Sequence, residues 1–327
     1  MLLKKLSRLN SVSGNESKIR EFIIKEIKDH VDDIRVDKIG NIIAYKAGKK
    51  SEPKVMISAH MDEVGLIINS INSEGLLGFT PVGDIDNRIL ISKPVYVGNK
   101  DVPGVIGAKP IHLQKSEERK KALDYTELYI DLGTSSKEET EKLVSIGDYV
   151  SFKSDFIKFA DHLFKGKALD NRAGCAVLIE AIKEKDSDMS FYAVFSVMKE
   201  IGIFGGQPAT YSIDPDINII LDSSSGGSKL GDGPALSFME KGAFFNSDLT
   251  KTMINISKKK NIPHQLCGFD DDKSDACKIQ TSGKGSKTIK ISIPCNYRRS
   301  PVSVISKDDL KNMYILLDEL LNNIGGK

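Results

Sequence analysis

His60 and Asp62 stand two residues apart in SAHMDEVG, directly after an apolar run. On extended chain that spacing puts both side chains on one face, so the carboxylate can orient the imidazole through its second nitrogen, as happens behind a metal-bound histidine. Taken alone, the pair is equally a satisfied histidine at a strand end. Other acids converge on the same type of position. Asp170 in KALDNRAG sits where an apolar approach meets a helix start, a place where a single aspartate ordinarily caps the helix. Glu200 closes FYAVFSVMKE, and Asp222 closes INIILD ahead of a loop of Ser223, Ser224, Ser225, Gly226 and Gly227. Carboxylates just past the carboxyl ends of buried strands are where open α/β sheets gather their sites. One histidine with several carboxylates suits zinc, cobalt or manganese rather than an ion that prefers thiolates. In SVMKEIGIFGG, Lys199 then sets an ammonium directly beside Glu200. An ordinary strand-end ion pair is the plain alternative for that pair.

The elements that must position these residues follow from periodicity. After SVSGNES, the positions Ile19, Phe22, Ile23 and Ile27 recur at helical spacing and predict an amphipathic helix. NIIAYKAG and KVMISAHMDEVGLIINSI read as strands, the second nearly all apolar up to Ala59 and therefore central in a sheet buried on both faces. From about residue 71 to 164 the texture changes to short β-like runs (PVYVG, VPGVIGAK, ELYIDLG, DYVSF) broken by Gly, Asp and Asn, with one helix-like charged piece, KSEERKKAL. Beyond it, helices and strands alternate: NRAGCAVLIEAIKEK helix, SFYAVFSVM strand, INIILD strand, KTMINISKKKN helix, TIKISIP strand and KDDLKNMYILLDELLNNI helix. That order predicts an α/β sandwich over 1–70 and 165–327, interrupted by a small β-rich insert at 71–164.

Composition narrows the partners. Lys plus Arg at 47 against Asp plus Glu at 45 leaves a net charge of +2, with the basic residues dispersed, which argues against nucleic acid. No stretch approaches the roughly 18 consecutive apolar residues of a membrane span. Cys175, Cys267, Cys277 and Cys295 form no CxxC pair, and MLLKKLSRLN lacks a signal-peptide run, so the expectation is a reduced, cytoplasmic protein. GGSKLGDGPAL is a turn-rich connection rather than a phosphate loop. His30, His112 and His264 have no partner at ligand spacing, while His162 lies shortly before Asp170.

Several motifs in one order resemble the M42 aminopeptidases, dinuclear metallopeptidases: SAHMDEVGLII, VIGAKPIHL with EERKK, ALDNRAG, EIGIFGG, KLGDGPAL, SDACKIQ and NYRRSPV. The resemblance runs nearly end to end. It implies a metallo-aminopeptidase-type α/β sandwich with a mixed central sheet, a barrel-like insert that helps assembly, and removal of N-terminal residues from peptides, often in homo-oligomeric, dodecameric shells. By position, His60 matches a terminal ligand of the first metal with Asp62 behind it, Asp170 the carboxylate bridging both metals, Asp222 the remaining first-metal ligand, and Glu200 a ligand of the second metal.

Two positions depart from the pattern. The family's general-base glutamate is replaced by Lys199, and its second-metal histidine, in a Tyr-x-His-Ser-Pro setting, by Arg299. Arginine keeps its proton, offers a metal no lone pair and repels it. The expectation is therefore at most one divalent ion per chain, with Lys199 and Arg299 supplying the missing counter-charge and Arg299 reaching toward Glu200 or Asp170. His162 is the one candidate to rebuild the lost site. A protonated lysine cannot take a proton from water, so peptidase activity is expected weak or lost. The alternatives are a non-catalytic scaffold or peptide-binding subunit, or a mononuclear metal hydrolase acting on another small amide.

Overall fold

Apolar runs without polar alternation need cover on both faces, and four of them form the middle of the molecule. In the computed structural model, which describes residues 1–110, 112, 114, 116, 121–184, 188–224 and 227–324, the strands Met189–Ser196, Lys50–His60, Ile217–Ser224 and Lys287–Asn296 lie side by side and parallel. Antiparallel strands extend them on both sides: Ile42–Lys46 and Asp33–Val36 at one edge, Ser303–Ser306, Leu163–Gly166 and Ile157–Phe159 at the other. The sheet is therefore mixed.

Successive residues of a strand point to opposite faces, so neighbours in sequence serve different cores. Ile57, Phe195 and Leu221 face one core, packed with the helices Leu2–Arg8, Ser17–Ile27, Leu169–Lys183, Ser247–Lys259 and Lys307–Asn323. Met56, Val194 and Ile220 face the other, beneath Gly206–Ile213 and the short Ala276–Ile279. Helix ends are satisfied locally: Ser306 Oγ accepts from the amides of Asp308 and Asp309, and Asn246 from that of Leu249. The opening helix Leu2–Arg8 has no counterpart in the sequence reading. Among the described residues, no helix is long and apolar enough to cross a membrane.

Six strands close a separate barrel, in cyclic order Gly65–Ile71, Leu77–Val82, Leu128–Asp131, Val102–Ala108, Pro94–Val97 and Tyr149–Phe152. Its own core holds Leu66, Phe79, Val97, Ile106, Ile130 and Val150. The segment expected as one strand, KVMISAHMDEVGLIINSI, is two, because the chain leaves the large sheet after His60 and enters the barrel at Gly65. At Gly65 a Cβ would fall 2.6 Å from the Val150 carbonyl oxygen, so the crossing needs glycine. Barrel pairing thus spans 65–152, against the 71–164 drawn from texture, and the strands at 157–159 and 163–166 belong to the large sheet. Most of the charged piece KSEERKKAL lies outside the described residues.

Candidate active site

Parallel strands bring their carboxyl ends to one edge, and the register decides which residues meet there. Ser196 pairs with His60 across one neighbour, and Ile220 pairs with Ser58 across the other, so Asp222, two residues on, comes level with His60. The strand Ile217–Ser224 runs on through Ser223 and Ser224, both buried, rather than ending at Asp222. Asp170 arrives from above the sheet, at the start of Leu169–Lys183. It does not cap that helix: Ala168 before it is left-handed at φ 55°, the backbone turns regularly helical only after Asn171, and it is Asn171 Oδ1 that accepts from the Gly174 amide at 3.2 Å. Asn171 fixes the junction by donating Nδ2–H to the Leu221 carbonyl, 2.8 Å away, one residue before Asp222.

The Lys199–Glu200 turn is held from three directions. Buried Asn41 accepts from the Val197 amide and donates to the Gly205 carbonyl, Glu16 accepts from the Met198 amide, and Asp62 Oδ2 accepts from the Glu200 amide at 2.9 Å. A Cβ on Gly205 would lie 2.5 Å from the Val197 carbonyl oxygen, which is why the turn needs its glycine. Asp62 thus has two tasks, since its Oδ1 also lies 3.3 Å from His60 Nδ1.

His60 Nε2 faces Asp170 Oδ1 at 3.5 Å, Asp222 Oδ1 at 3.6 Å and Glu200 Oε1 at 3.8 Å. His60, Asp170 and Asp222 each offer one ligand atom, all within 4.8 Å of one another, and all three residues are buried. His60 Nε2 and Asp170 Oδ1 have no hydrogen-bond partner. Buried polar atoms left open in this way call for a missing partner. Tetrahedral zinc ligands at about 2.0–2.1 Å stand roughly 3.3 Å from each other, so this donor set fits a divalent ion. Burial and the nearby Lys199 disfavour a charged imidazole, but Asp170, Asp222 and Asp62 outweigh them and raise His60 well above its ordinary value. The cluster demands positive charge at Nε2.

On the other side of Asp170 and Glu200 the chemistry is different. Lys199 Nζ lies 3.2 Å from Glu200 Oε1, with both side chains nearly fully buried. Burial opposes its charge, yet Glu200, Asp222, Asp170 and Asp272 hold its protonation well above the usual lysine range. Arg298 Nε donates to Asp170 Oδ2 at 2.9 Å, and both Arg298 and Arg299 hydrogen-bond Asp272. Arg299 also meets Asp84 at 3.1 Å, while its Nε stands 3.6 Å from Glu200 Oε2. Arg299 does lean toward Glu200, as expected, but the residue bonded to Asp170 is Arg298, which the sequence reading passed over. Asp272 was missed as well. The only hints were the doubled arginine of NYRRSPV and the acidic run FDDDKSD. This half is occupied by the three cations Lys199, Arg298 and Arg299. His162, exposed in the turn between Ile157–Phe159 and Leu163–Gly166, is not part of the cluster. Cys175 is buried with its thiol pushed up to about 12 by burial, an inert neighbour whose Sγ–H contacts the His60 carbonyl.

Asp275, from SDACKIQ, accepts a hydrogen bond from Ser196 at the end of the neighbouring strand, and burial pushes its carboxyl up to about 6. The folded chain therefore holds a proton that the unfolded chain releases near pH 4, so stability falls as pH rises from about 4 to about 6. Asp275→Asn should remove that fall. In urea unfolding from pH 4 to 7, the variant is expected to gain about 3 kcal/mol on the parent across the window. A constant difference would contradict the assignment.

A mixed sheet whose parallel central strands gather at their ends a histidine and carboxylates fit for a divalent ion, with a barrel inserted after the histidine strand, defines an α/β metallohydrolase of the aminopeptidase type. The family model described as M42 glutamyl aminopeptidase matches residues 40–316, and the chain belongs to that family. Lysyl aminopeptidase from Pyrococcus furiosus is 32% identical, over 99% of this chain and 96% of its own length. A TET aminopeptidase from the marine sediment archaeon Thaumarchaeota archaeon SCGC AB-539-E09 superposes with a TM-score of 0.95 at 30% identity, over 99% of this chain and 96% of that one. The TET1 peptidase of Pyrococcus horikoshii, which can assemble into a tetrahedron or a large octahedral shell, gives 0.89 at 35% identity, over 98% of both chains.

Proposed function

We propose that this M42 chain is a metal-dependent aminopeptidase homologue built around one divalent ion, with its peptidase turnover weak or lost. The observation that carries the reading is the asymmetry of the cluster. His60 Nε2 and Asp170 Oδ1 are open toward one position, whereas Asp170 Oδ2 and Glu200 Oε1 are engaged by Arg298 and Lys199. Charge points the same way. Among the described residues, Asp62, Asp170, Glu200, Asp222 and Asp272 face the three cations Lys199, Arg298 and Arg299, a deficit of two that one dication fills. A second dication would leave an excess of positive charge in a buried site, which is expensive.

His60, Asp170 and Asp222 would hold the ion, which when bound polarises a carbonyl and lowers the pKa of its water. Asp62 fixes the imidazole by accepting from its other nitrogen, and places the Glu200 amide. Lys199, Arg298 and Arg299 do electrostatically what a second cation would do for Asp170 and Glu200. None of the three can accept a proton. A positioned base contributes about 10²- to 10⁴-fold, and that factor is what the chain forgoes. Zinc, cobalt and manganese all suit these ligands. The P. horikoshii relative's shells support a homo-oligomer here too, with the barrel as the assembly module and a dodecamer as one form. Elemental analysis of metal per chain, coupled to amino-acid release from mixed peptides, tests the reading. The same lysine and arginines favour a second reading, a non-catalytic peptide-binding subunit, which peptide binding with neither bound metal nor amino-acid release would select.

A further inference from the structure

A cleft of about 720 Å³ opens between the barrel segment 84–93 and the turn 297–302. Arg298 and Arg299 line it while reaching Asp170 and Glu200 behind. Its size is that of a small-ligand site. Ile89, Pro301 and Val302 give it an apolar wall, and the Tyr297 ring beside them is 70% exposed. Its cations are not equally engaged. Arg298 is taken up by Asp170 and Asp272, and Arg299 divides itself between Asp272 inside and Asp84 outside. Asp86 is committed to Arg88. Lys93 lines the cleft with no acidic partner among the described residues. The Asp84 side chain is 87% exposed, so its pair with Arg299 is the kind that contributes little and is easily exchanged.

We infer that this cleft receives a carboxylate of a peptide, bound by Lys93 and by Arg299 once that guanidinium turns from Asp84 to the ligand. The inference rests on the peptide reading above and names the class of peptide: one that carries an anionic group beyond the bond at His60. An acidic side chain and a free C-terminus share that chemistry. A charge-assisted hydrogen bond between guanidinium or ammonium and carboxylate is the strong kind, and its loss on amidation is readable as affinity.

Calorimetric titration of the metal-loaded protein tests it with non-cleavable tripeptides whose first amide is reduced: Leu-Ala-Ala, Leu-Ala-Ala amide and Leu-Glu-Ala amide. The protein is expected to bind at least one carboxylate-bearing peptide about tenfold more tightly than Leu-Ala-Ala amide, and the two arms identify which carboxylate is read. Lys93→Met should erase that ratio. Asp84→Asn, which removes the competing acid at the surface, should enlarge it. A ratio near one in the parent protein, or a ratio unchanged in both variants, overturns the inference and leaves the peptide reading standing. Absence of binding by all three peptides overturns both.

Discussion

The triple variant K199E/R298A/R299H is expected to take up a second divalent ion per chain and to gain peptidase turnover of about 10²- to 10⁴-fold, the range a positioned general base supplies. Each substitution answers one observed contact. Lys199→Glu removes the ammonium 3.2 Å from Glu200 and puts a carboxylate in its place. Arg298→Ala frees Asp170 Oδ2, which the guanidinium holds at 2.9 Å. Arg299→His exchanges a cation without a lone pair for an imidazole that has one. Three cations leave and one acid enters, so the deficit of positive charge grows from two to six, more than a single dication can fill. The single variant K199E should gain little, because Arg298 and Arg299 still occupy the vacated half. Metal analysis and initial rates on one peptide series check both statements. A triple variant that stays at one ion and at parental turnover would show that the cations are not what closes the second site.

Lys290→Met is expected to destabilise the protein by about 3–5 kcal/mol, the cost of breaking a buried ion pair. Lys290 lies under the floor of the site. Its Nζ meets Glu240 at 2.6 Å and Asp270 at 3.0 Å, with all three side chains at 1% exposure or less. Glu240 also accepts from the amide and hydroxyl of Ser274. This triad pins both sides of Asp272, the carboxylate shared by Arg298 and Arg299. With total stabilities near 5–15 kcal/mol, such a loss is a large fraction. For a chain of 327 residues it should lower the melting temperature by roughly 4–7 °C. K290M/E240Q/D270N, which removes all three charges while keeping acceptors for Ser274, should recover most of it. Failure of that rescue would mean that the triad's charge is not the source of the loss.

Much of this was legible beforehand. The alternation of apolar runs and helical spacing predicted the α/β sandwich, because a strand buried on both faces stays almost wholly apolar until the site begins, as at His60 and Asp222, with Ser58 and Asn218 the buried exceptions. The insert was visible as a change of texture, but its edges were not. The chain passes from sheet to barrel within Met61–Val64, all buried, without a loop-like stretch to mark it. Lys199 and Arg299 stood out because they break a pattern. Arg298 and Asp272 break none, and their meeting depends on a turn in which Tyr297 and Arg299 sit at φ 59° and 53°. Left-handed backbone at non-glycine residues is set by tertiary contacts, not by local preference. The same holds for Ala168 and Met198 on either side of the cluster, at φ 55° and 56°.

The most direct test of the account is the number of divalent ions bound per chain, measured by elemental analysis of carefully purified protein after saturation with zinc, cobalt or manganese and removal of free metal. One ion per chain, with amino-acid release from peptides slow or absent, is the predicted result: His60, Asp170 and Asp222 filled, and Lys199, Arg298 and Arg299 standing as internal counter-ions beside them. Two ions per chain with robust release would contradict it, since the guanidinium groups and the ammonium would then have to leave Asp170 and Glu200 for a metal.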